Sequence, residues 1–207
     1  MTDTRTKLLA AAAETLRTDG IVGLSARTVA TRAGVNQALV FYHFGTMGEL
    51  IQAATVQSVD ESVGYYRERL AAVTSLPELL VVGRELHERE RELGNVAAMA
   101  QLMAGAQQDL MLAEAGRYAM GRWTNEIQTV VERVLAGSPL ADVVDLAGLA
   151  QAISAGFIGL ELYDGVDPVG SRAAADAVES LGALLQVLDD LGPIAARAVK
   201  AKVRRQG

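Results

Sequence analysis

The sequence predicts an all-α fold in which three short N-terminal helices are joined by a long helix to a body of six or seven further helices. Apolar residues recur with a helical period along almost the whole chain, and no β-branched run alternates with polar residues between turn signals. Capping residues, glycine and proline interrupt this pattern repeatedly. Half of the 207 residues are hydrophobic, which is enough to form a core.

The three N-terminal helices are delimited by residues that start and end helices. The first is predicted over 4–19, because its apolar stripe stops there and Gly20 occupies the position of a C-terminal cap. The second begins after Ser25, a good N-cap, and ends at Gly34. The third is predicted over 36–43.

The later helices begin at recognisable capping sequences. Thr46 followed by Glu49 is a capping box that starts a long helix, and Ser75 with Glu78 forms a second box. Gly94 separates the next two helices. The remaining helices are predicted over 109–135, 140–163, 171–191 and, as a short basic helix, 194–205.

The charge distribution sets the N-terminal segment apart from the rest of the chain. Residues 1–48 carry five basic and three acidic side chains, whereas residues 49–193 carry nine basic and 22 acidic ones. The segment from residue 194 onward has five basic side chains and no acid. On a chain of net charge −6, this asymmetry indicates separate roles for the two parts, and chance variation of surface charge is the alternative.

Composition and motifs exclude several classes of site. The chain has no Cys and two His, so disulfides, thiolate metal sites and Cys nucleophiles are excluded. We find no metal-binding His spacing, phosphate-binding loop or catalytic triad, and predict no enzyme, no catalytic or metal-binding residue and no cofactor. The uncharged apolar stretch 146–160 is shorter than the roughly 20 apolar residues of a membrane span, and the polar N-terminus lacks a signal segment. We therefore predict a cytoplasmic protein without a membrane partner.

The segment LSARTVATRAGVNQALVFYHF, residues 24–44, has the features of a helix-turn-helix. Gly34 lies between its two helices, where a tight turn needs the positive φ that glycine adopts at little cost. Apolar residues on both sides would lock these helices against the first one: Val29, Ala30, Ala33, Val35 and Val40. The alternative is an ordinary three-helix unit with a turn glycine.

The second helix of this motif would present outward a set of residues that suit the major groove of DNA. Asn36 and Gln37 can donate and accept hydrogen bonds together, as the edge of adenine requires. Ala38 and Leu39 are small or apolar enough to contact thymine methyl groups, and Tyr42 is expected on the same side.

The pattern of this segment resembles the TetR family of transcriptional repressors in its Ala-Gly-Val turn, its His-Phe pair and the long helix that follows. The match is specific over residues 5–50 and beyond them rests on helix number and length. The resemblance implies phosphate contacts for four residues: Ser25, Tyr42, His43 and Thr46. It also implies a phosphate or guanine contact for Arg27, and base contacts for Asn36, Gln37, Ala38 and Leu39.

Two residues depart from the family pattern. Phe41 stands where members have Tyr, and Met47 where they have Lys, and both family residues contact phosphate. Each charged phosphate contact contributes about −0.9 to the logarithmic salt slope of DNA binding. We therefore expect a modest salt slope, or a transfer of the phosphate contacts to other cations: Arg5, Lys7 and Arg32.

The two long C-terminal helices are the predicted dimer interface, because helix-turn-helix proteins pair two reading helices about 34 Å apart on DNA. Small residues lie along one helix: Gly148, Ala152, Gly156 and Gly159. Apolar residues share a face of the other: Val178, Leu181, Leu184, Leu185 and Leu188. Two helices from each subunit would form a four-helix interface. The alternative is that both are core helices of a monomer.

Polarizable and aromatic side chains in the middle of the chain predict a small-molecule site, where the TetR resemblance also implies an effector cavity. The candidates are Tyr65, Met99, Met103, Gln107, Tyr118, Trp123 and Phe157. Few charges lie among them, which favours an apolar or amphipathic effector over a cation. The alternative is that these residues fill an ordinary core.

These features predict a ligand-responsive regulator that binds a palindromic double-stranded DNA operator as a homodimer and is released by a small-molecule effector. The resemblance implies a repressor, and an activator is the alternative, because the sign of regulation depends on the position of the operator. Residues 1–46 would form the helix-turn-helix DNA-binding domain, and residues 47–207 the helical ligand-binding and dimerisation domain. The alternative is a helical small-molecule-binding protein with weak or no affinity for DNA.

Overall fold

A computed structural model of the chain describes residues 3–138, 141 and 144–190. These residues form ten α-helices and contain no strand, which confirms the predicted all-α fold. The helices are α1 (Thr4–Thr18), α2 (Gly20–Gly23), α3 (Ala26–Ala33), α4 (Ala38–Phe44), α5 (Met47–Ala71), α6 (Leu76–Glu92), α7 (Asn95–Gly105), α8 (Leu110–Val134), α9 (Leu146–Asp164) and α10 (Pro168–Asp190). The short basic helix predicted over 194–205 lies outside the described residues.

The chain divides into two compact units. The N-terminal unit comprises Met1–Tyr65 and His87–Arg122, and the C-terminal unit comprises Tyr66–Leu86 and Trp123–Gly207. Helices α5, α6 and α8 therefore contribute residues to both units. The predicted division at residue 46 concerns function rather than packing, and it stays a prediction.

The first helices of the N-terminal unit pack around a core that we call the head core. Its residues are Leu8, Leu9, Ala11, Ala12, Ala26, Val29, Ala30, Val40, Phe44, Leu50 and Ala54. Val29 and Val40 have no exposed surface, so the prediction that they lock α3 and α4 in place is confirmed. Ala33 and Val35 are partly buried against the same core. Full burial of each large aliphatic side chain stabilises this arrangement by roughly 1.5–3 kcal/mol.

Helix α2 was not expected from the sequence, which predicts a single turn after α1. Gly20 has φ 71, a left-handed conformation that redirects the chain into this four-residue helix. The side-chain oxygen of Gln101 on α7 accepts a hydrogen bond from the backbone N–H of Ile21 at 2.7 Å. Because Gln101 is 80 residues away in sequence, no local pattern could reveal this contact.

The two predicted capping boxes differ in how fully they form. The Thr46 hydroxyl accepts from the N–H of Glu49, and the Glu49 carboxylate accepts from the N–H of Thr46, so this box is confirmed. In the second box, the Ser75 hydroxyl accepts from the N–H of Glu78. The Glu78 carboxylate instead accepts from the N–H and hydroxyl of Thr74, and these bonds hold the pKa of Glu78 below its usual value.

A second core lies in the C-terminal unit, where the last part of α5, α6 and the last part of α8 meet. Its buried residues are Tyr66, Leu70, Val73, Leu76, Leu79, Val82, Leu86, Val130, Val131 and Leu135. Arg133 donates from its guanidinium to the backbone carbonyls of Leu70 and Val73, at 2.8 and 3.1 Å. These bonds tie α8 to the last turn of α5 and to the residues that follow it.

Helices α9 and α10 each begin directly after an aspartate residue, and neither begins at its predicted position. Helix α9 begins at Leu146, not at residue 140, because the Asp145 carboxylate accepts from the N–H of Ala147. Helix α10 begins at Pro168, not at residue 171, and Asp167 accepts from the N–H of Gly170. That bond holds the pKa of Asp167 below its usual value.

Helix α9 is longer than the uncharged stretch noted in the sequence. It is the one helix in the described part of the chain that is long and apolar enough to cross a membrane by length and composition. The same composition suits a core or interface helix, and 17% of its apolar window is buried within the chain.

A pair of glycine substitutions tests the turn on which the N-terminal unit depends. Gly34→Ala is expected to lower the free energy of unfolding by about 1 kcal/mol, because an L-residue is strained at φ 68. The added Cβ would meet no atom within 4 Å, so the effect isolates backbone strain. Gly64→Ala, in the interior of α5 and equally unobstructed, is the matched control and should raise the same quantity by about 1 kcal/mol.

Chemical denaturation followed by circular dichroism measures both free energies. If Gly34→Ala stabilised the protein as Gly64→Ala does, the left-handed turn would not be present.

Candidate nucleic-acid interface

Helix α4 has one buried face and one exposed face. Val40 and Phe44 point into the head core, whereas Ala38, Phe41 and Tyr42 are exposed. The exposed fraction is 48% for Phe41 and 80% for Tyr42. Three small or aromatic side chains on one outward face form a surface that can contact another molecule, and we call Gln37, Ala38, Phe41 and Tyr42 the α4 outer face.

Leu39 does not belong to this outer face, although the sequence analysis placed it there. It is half-buried and packs against the head core. The reason is its position on α4, one residue before the fully buried Val40 and therefore at the rim of the inward side. Leu39 is thus less accessible than the α4 outer face, and its predicted base contact stays a prediction.

Asn36 and Gln37 differ in how free their side chains are. The Oδ1 of Asn36 accepts a hydrogen bond from the N–H of Ala38 at 2.8 Å, so Asn36 acts as a cap for α4. This bond uses part of the acceptor capacity that the predicted contact with adenine requires. Gln37 is exposed, and its side-chain amide makes no hydrogen bond within the described residues. Gln37 therefore retains both a donor and an acceptor.

Helix α3 and the turn hold α4 in this orientation. The Ser25 hydroxyl accepts from the N–H of Thr28 at 3.1 Å, which is the predicted N-cap. Gly34 has φ 68 and ψ 35, the left-handed conformation that the sequence predicts for the turn. Arg27, in the first turn of α3, is exposed and forms no ion pair within the described range.

The aromatic residues at the end of α4 contact one another. The rings of Tyr42 and His43 meet edge to face with centroids 5.1 Å apart, and His43 is half-buried. The guanidinium of Arg5 lies 5.2 Å from the centre of the Phe44 ring. His43 is thus packed on one side and accessible on the other, which fits the expectation of both packing and a phosphate contact.

The Thr46 hydroxyl, for which the resemblance implies a phosphate contact, already forms hydrogen bonds within the chain. Its hydroxyl donates to the Glu49 carboxylate at 2.9 Å and accepts from the N–H of Glu49. A phosphate bound at Thr46 would lie close to the Glu49 charge, which opposes anion binding there.

The segment that carries α3 and α4 contains no acidic residue. Between Gly20 and Gly48 the sequence has no Asp or Glu and has two arginines, Arg27 and Arg32. Arg32 donates to Asp19 and to the hydroxyl of Thr18, both at 2.9 Å, so its charge is already paired. Arg27 is therefore the cation of this segment with the greatest freedom to contact an anion.

The predicted effector residues of the N-terminal unit lie in different environments. Tyr65 is 63% exposed, and the Arg89 guanidinium lies 3.7 Å from the centre of its ring. The Tyr118 hydroxyl donates to Asp60 at 2.9 Å, and this bond raises the pKa of Tyr118. Three further candidates are half-buried or exposed on α7 and after it: Met99, Met103 and Gln107.

The other two predicted effector residues belong to the C-terminal unit. Trp123 and Phe157 are half-buried against its core. The ring of Trp123 lies 6.1 Å from that of Tyr66. Their roles as effector contacts stay predictions, as do those of the five residues in the N-terminal unit.

Sequence reasoning missed two residues that bear on this interface. The sequence analysis treats Phe41 as the loss of a phosphate contact and does not predict its half-exposed ring on the α4 outer face. Its spacing of three residues from Ala38 is the signal that would have placed both on one face. Gln101, which fixes the start of α2, had no signal in the sequence.

Comparison with known proteins identifies this arrangement. Residues 8–54, from α1 into α5, match the family model described as bacterial regulatory proteins of the tetR family. Over these residues the chain has the helix-turn-helix segment of the tetR family, and the resemblance noted in its sequence is confirmed there.

Relatives and solved structures are similar to the chain over more residues than this segment contains. A helix-turn-helix transcriptional regulator of Mycobacterium bovis, itself uncharacterised, is 26% identical over 140 residues, which cover 66% of this chain and 69% of the relative. A Rhodococcus structure assigned by name to the TetR family superposes with a TM-score of 0.70 at 23% identity, over 88% of this chain and 99% of that one. The Bacillus subtilis regulator FadR, solved in complex with stearoyl-CoA, superposes with a TM-score of 0.68 at 12% identity. The superposition covers 84% of this chain and 95% of FadR. At these identities the two structures show a shared fold.

Proposed function

We propose that the chain is a TetR-family regulator that binds a palindromic operator as a homodimer, represses transcription there, and is released by a small apolar or amphipathic effector. The observation that carries the proposal is the α4 outer face, which is exposed and lies in a segment without acidic residues. The proposal assigns no catalytic reaction and no cofactor to the chain, and it places the protein in the cytoplasm, with the DNA that it regulates.

Gln37 is the residue of the α4 outer face best suited to recognise a base. Its free side-chain amide can donate and accept at once, which matches the major-groove edge of adenine. Ala38 follows it on the same face, and Tyr42 and His43 lie one turn later, where the backbone of the DNA would pass. Asn36 contributes by positioning α4, since its side chain caps that helix.

Few basic side chains near α3 and α4 are free to contact phosphate. This supports a modest dependence of DNA affinity on salt concentration. Arg32 is paired with Asp19, and Arg5 lies over Phe44. Arg27 and Lys7 are exposed and carry no ion pair in the described ranges. Non-electrostatic contacts on the α4 outer face would then supply a larger share of the binding free energy than in a strongly basic DNA-binding protein.

The exposed surface of α9 and α10 supports the proposed dimer. On α9 the small residues Ala152, Gly156 and Gly159 are exposed, so another helix can approach its backbone closely. On α10 Leu181 and Leu184 are each 60% exposed. The side chains of two other predicted interface residues, Leu185 and Leu188, lie outside the described residues. Apolar side chains exposed along one helix are typical of a protein–protein interface rather than of a monomer surface.

Adaptable side chains on α7 support the proposed effector site. Met99 and Met103 are half-buried on α7, and thioether side chains adapt to ligands of irregular shape. FadR, which shares the fold, is seen with stearoyl-CoA, an amphipathic molecule. Effector binding would favour a conformation in which the two reading helices no longer match the operator.

Selection of bound sequences from a random pool of duplex DNA tests the proposal. We expect a palindromic site whose half-sites lie about one helical turn apart. Gln37→Ala should weaken binding to that site by about 1–3 kcal/mol per half-site, because a bidentate base contact is lost. Gln108→Ala, an exposed glutamine in the turn after α7, is the matched control and should leave the affinity unchanged. If no palindrome were enriched even at low salt, the protein would be a small-molecule-binding protein without operator affinity.

A charged residue on α10 tests the dimer interface. Leu184→Glu places a carboxylate in the proposed apolar interface, where burying an unpaired charge is strongly unfavourable. We expect the mass measured by light scattering to fall from that of two chains to that of one, and operator binding to be lost with it. Val22→Glu, at a position 95% exposed on α2, introduces the same charge outside the interface and should remain dimeric. A wild-type protein that is monomeric at micromolar concentration would contradict the dimer.

A further inference from the structure

Phe41 is an apolar ring left open to water on the α4 outer face. Its exposed fraction is 48%, and it makes no aromatic contact with another described residue. The head core is filled by the opposite side of α4, through Val40 and Phe44. Phe41 is therefore not part of the head core, and about half of its surface is open to a partner.

Ala38 completes an apolar pair with Phe41. The two residues are three positions apart on α4, so their side chains are neighbours on one face of the helix. Both are exposed, and Gln37 precedes them at the start of the helix. The pair is thus an apolar patch beside a side chain that is free to form hydrogen bonds.

The surroundings of this patch favour DNA over a protein partner. The segment from Gly20 to Gly48 has no acidic residue, and Arg27 is free of ion pairs in the described residues, so an anionic partner is not repelled. The phenyl ring has no hydrogen-bond donor and no charge, so it cannot bind phosphate as a tyrosine would. In the major groove the one apolar group on a base edge is the C5-methyl group of thymine.

We infer that Phe41, together with Ala38, contacts the C5-methyl group of one thymine in each half-site and so requires thymine at that position. This inference rests on the proposed operator binding and adds a specific base preference to it. Phe41 then acts as a specificity-determining residue, in place of the phosphate contact that a tyrosine would make.

Replacing thymine by deoxyuridine tests the inference, because it removes the methyl group and leaves base pairing intact. The operator obtained by selection is synthesised with one thymine position at a time replaced in both half-sites. We expect one position to weaken wild-type binding by about fourfold per half-site, the effect of one buried methyl group. Phe41→Ala should bind the thymine operator more weakly and should lose most of the discrimination between thymine and uracil there.

Val22→Ala is the matched control, since it also removes an exposed apolar side chain but outside the α4 outer face. It should keep the full thymine preference. The inference is overturned if no position distinguishes thymine from uracil, or if Phe41→Ala discriminates as well as the wild type. It is also overturned if Phe41→Ala changes the association state of the free protein while the preference is unchanged, since the ring would then cover a second copy of the chain.

The experiment distinguishes a failure of this inference from a failure of the proposed operator binding. An operator that is bound tightly and insensitive to its methyl groups would refute the role of Phe41 and leave operator binding intact. Failure to select any operator would refute both.

Discussion

The left-handed turn at Gly34 determines which side of α4 faces outward. With φ 68 at this residue, α4 leaves α3 at an angle that sends Val40 and Phe44 into the head core. The periodicity of the helix then dictates that Ala38, Phe41 and Tyr42 point away from it. The candidate DNA surface is therefore a consequence of core packing, and its residues are exposed because their neighbours are buried.

Local signals predicted the turn and the helix starts that frame this surface. Gly34, the Ser25 cap and the capping box of Thr46 and Glu49 form as the sequence indicates, since each depends on residues within four positions. The partial burial of Leu39 was not predicted, because its neighbours within a single turn do not reveal where the buried stripe ends.

Other features depend on contacts between residues that are distant in sequence, and no local pattern predicts them. Helix α2 forms where Gln101 accepts the N–H of Ile21. Arg32, one of the cations expected to contact phosphate, is paired with Asp19 and Thr18. The half-exposed ring of Phe41 follows from the α4 packing rather than from the residue type. The effector residues were proposed from side-chain character alone, and the structure distributes them between the two units.

The central claim is that the α4 outer face is the surface that DNA covers. Hydroxyl-radical labelling of aromatic side chains, read by mass spectrometry with and without the selected operator, measures this directly. Tyr42, at 80% exposure, should lose most of its reactivity when the operator binds, while Tyr65, at 63%, should keep its reactivity as an internal reference. A Tyr42 that stays fully reactive in the presence of saturating operator would contradict the account.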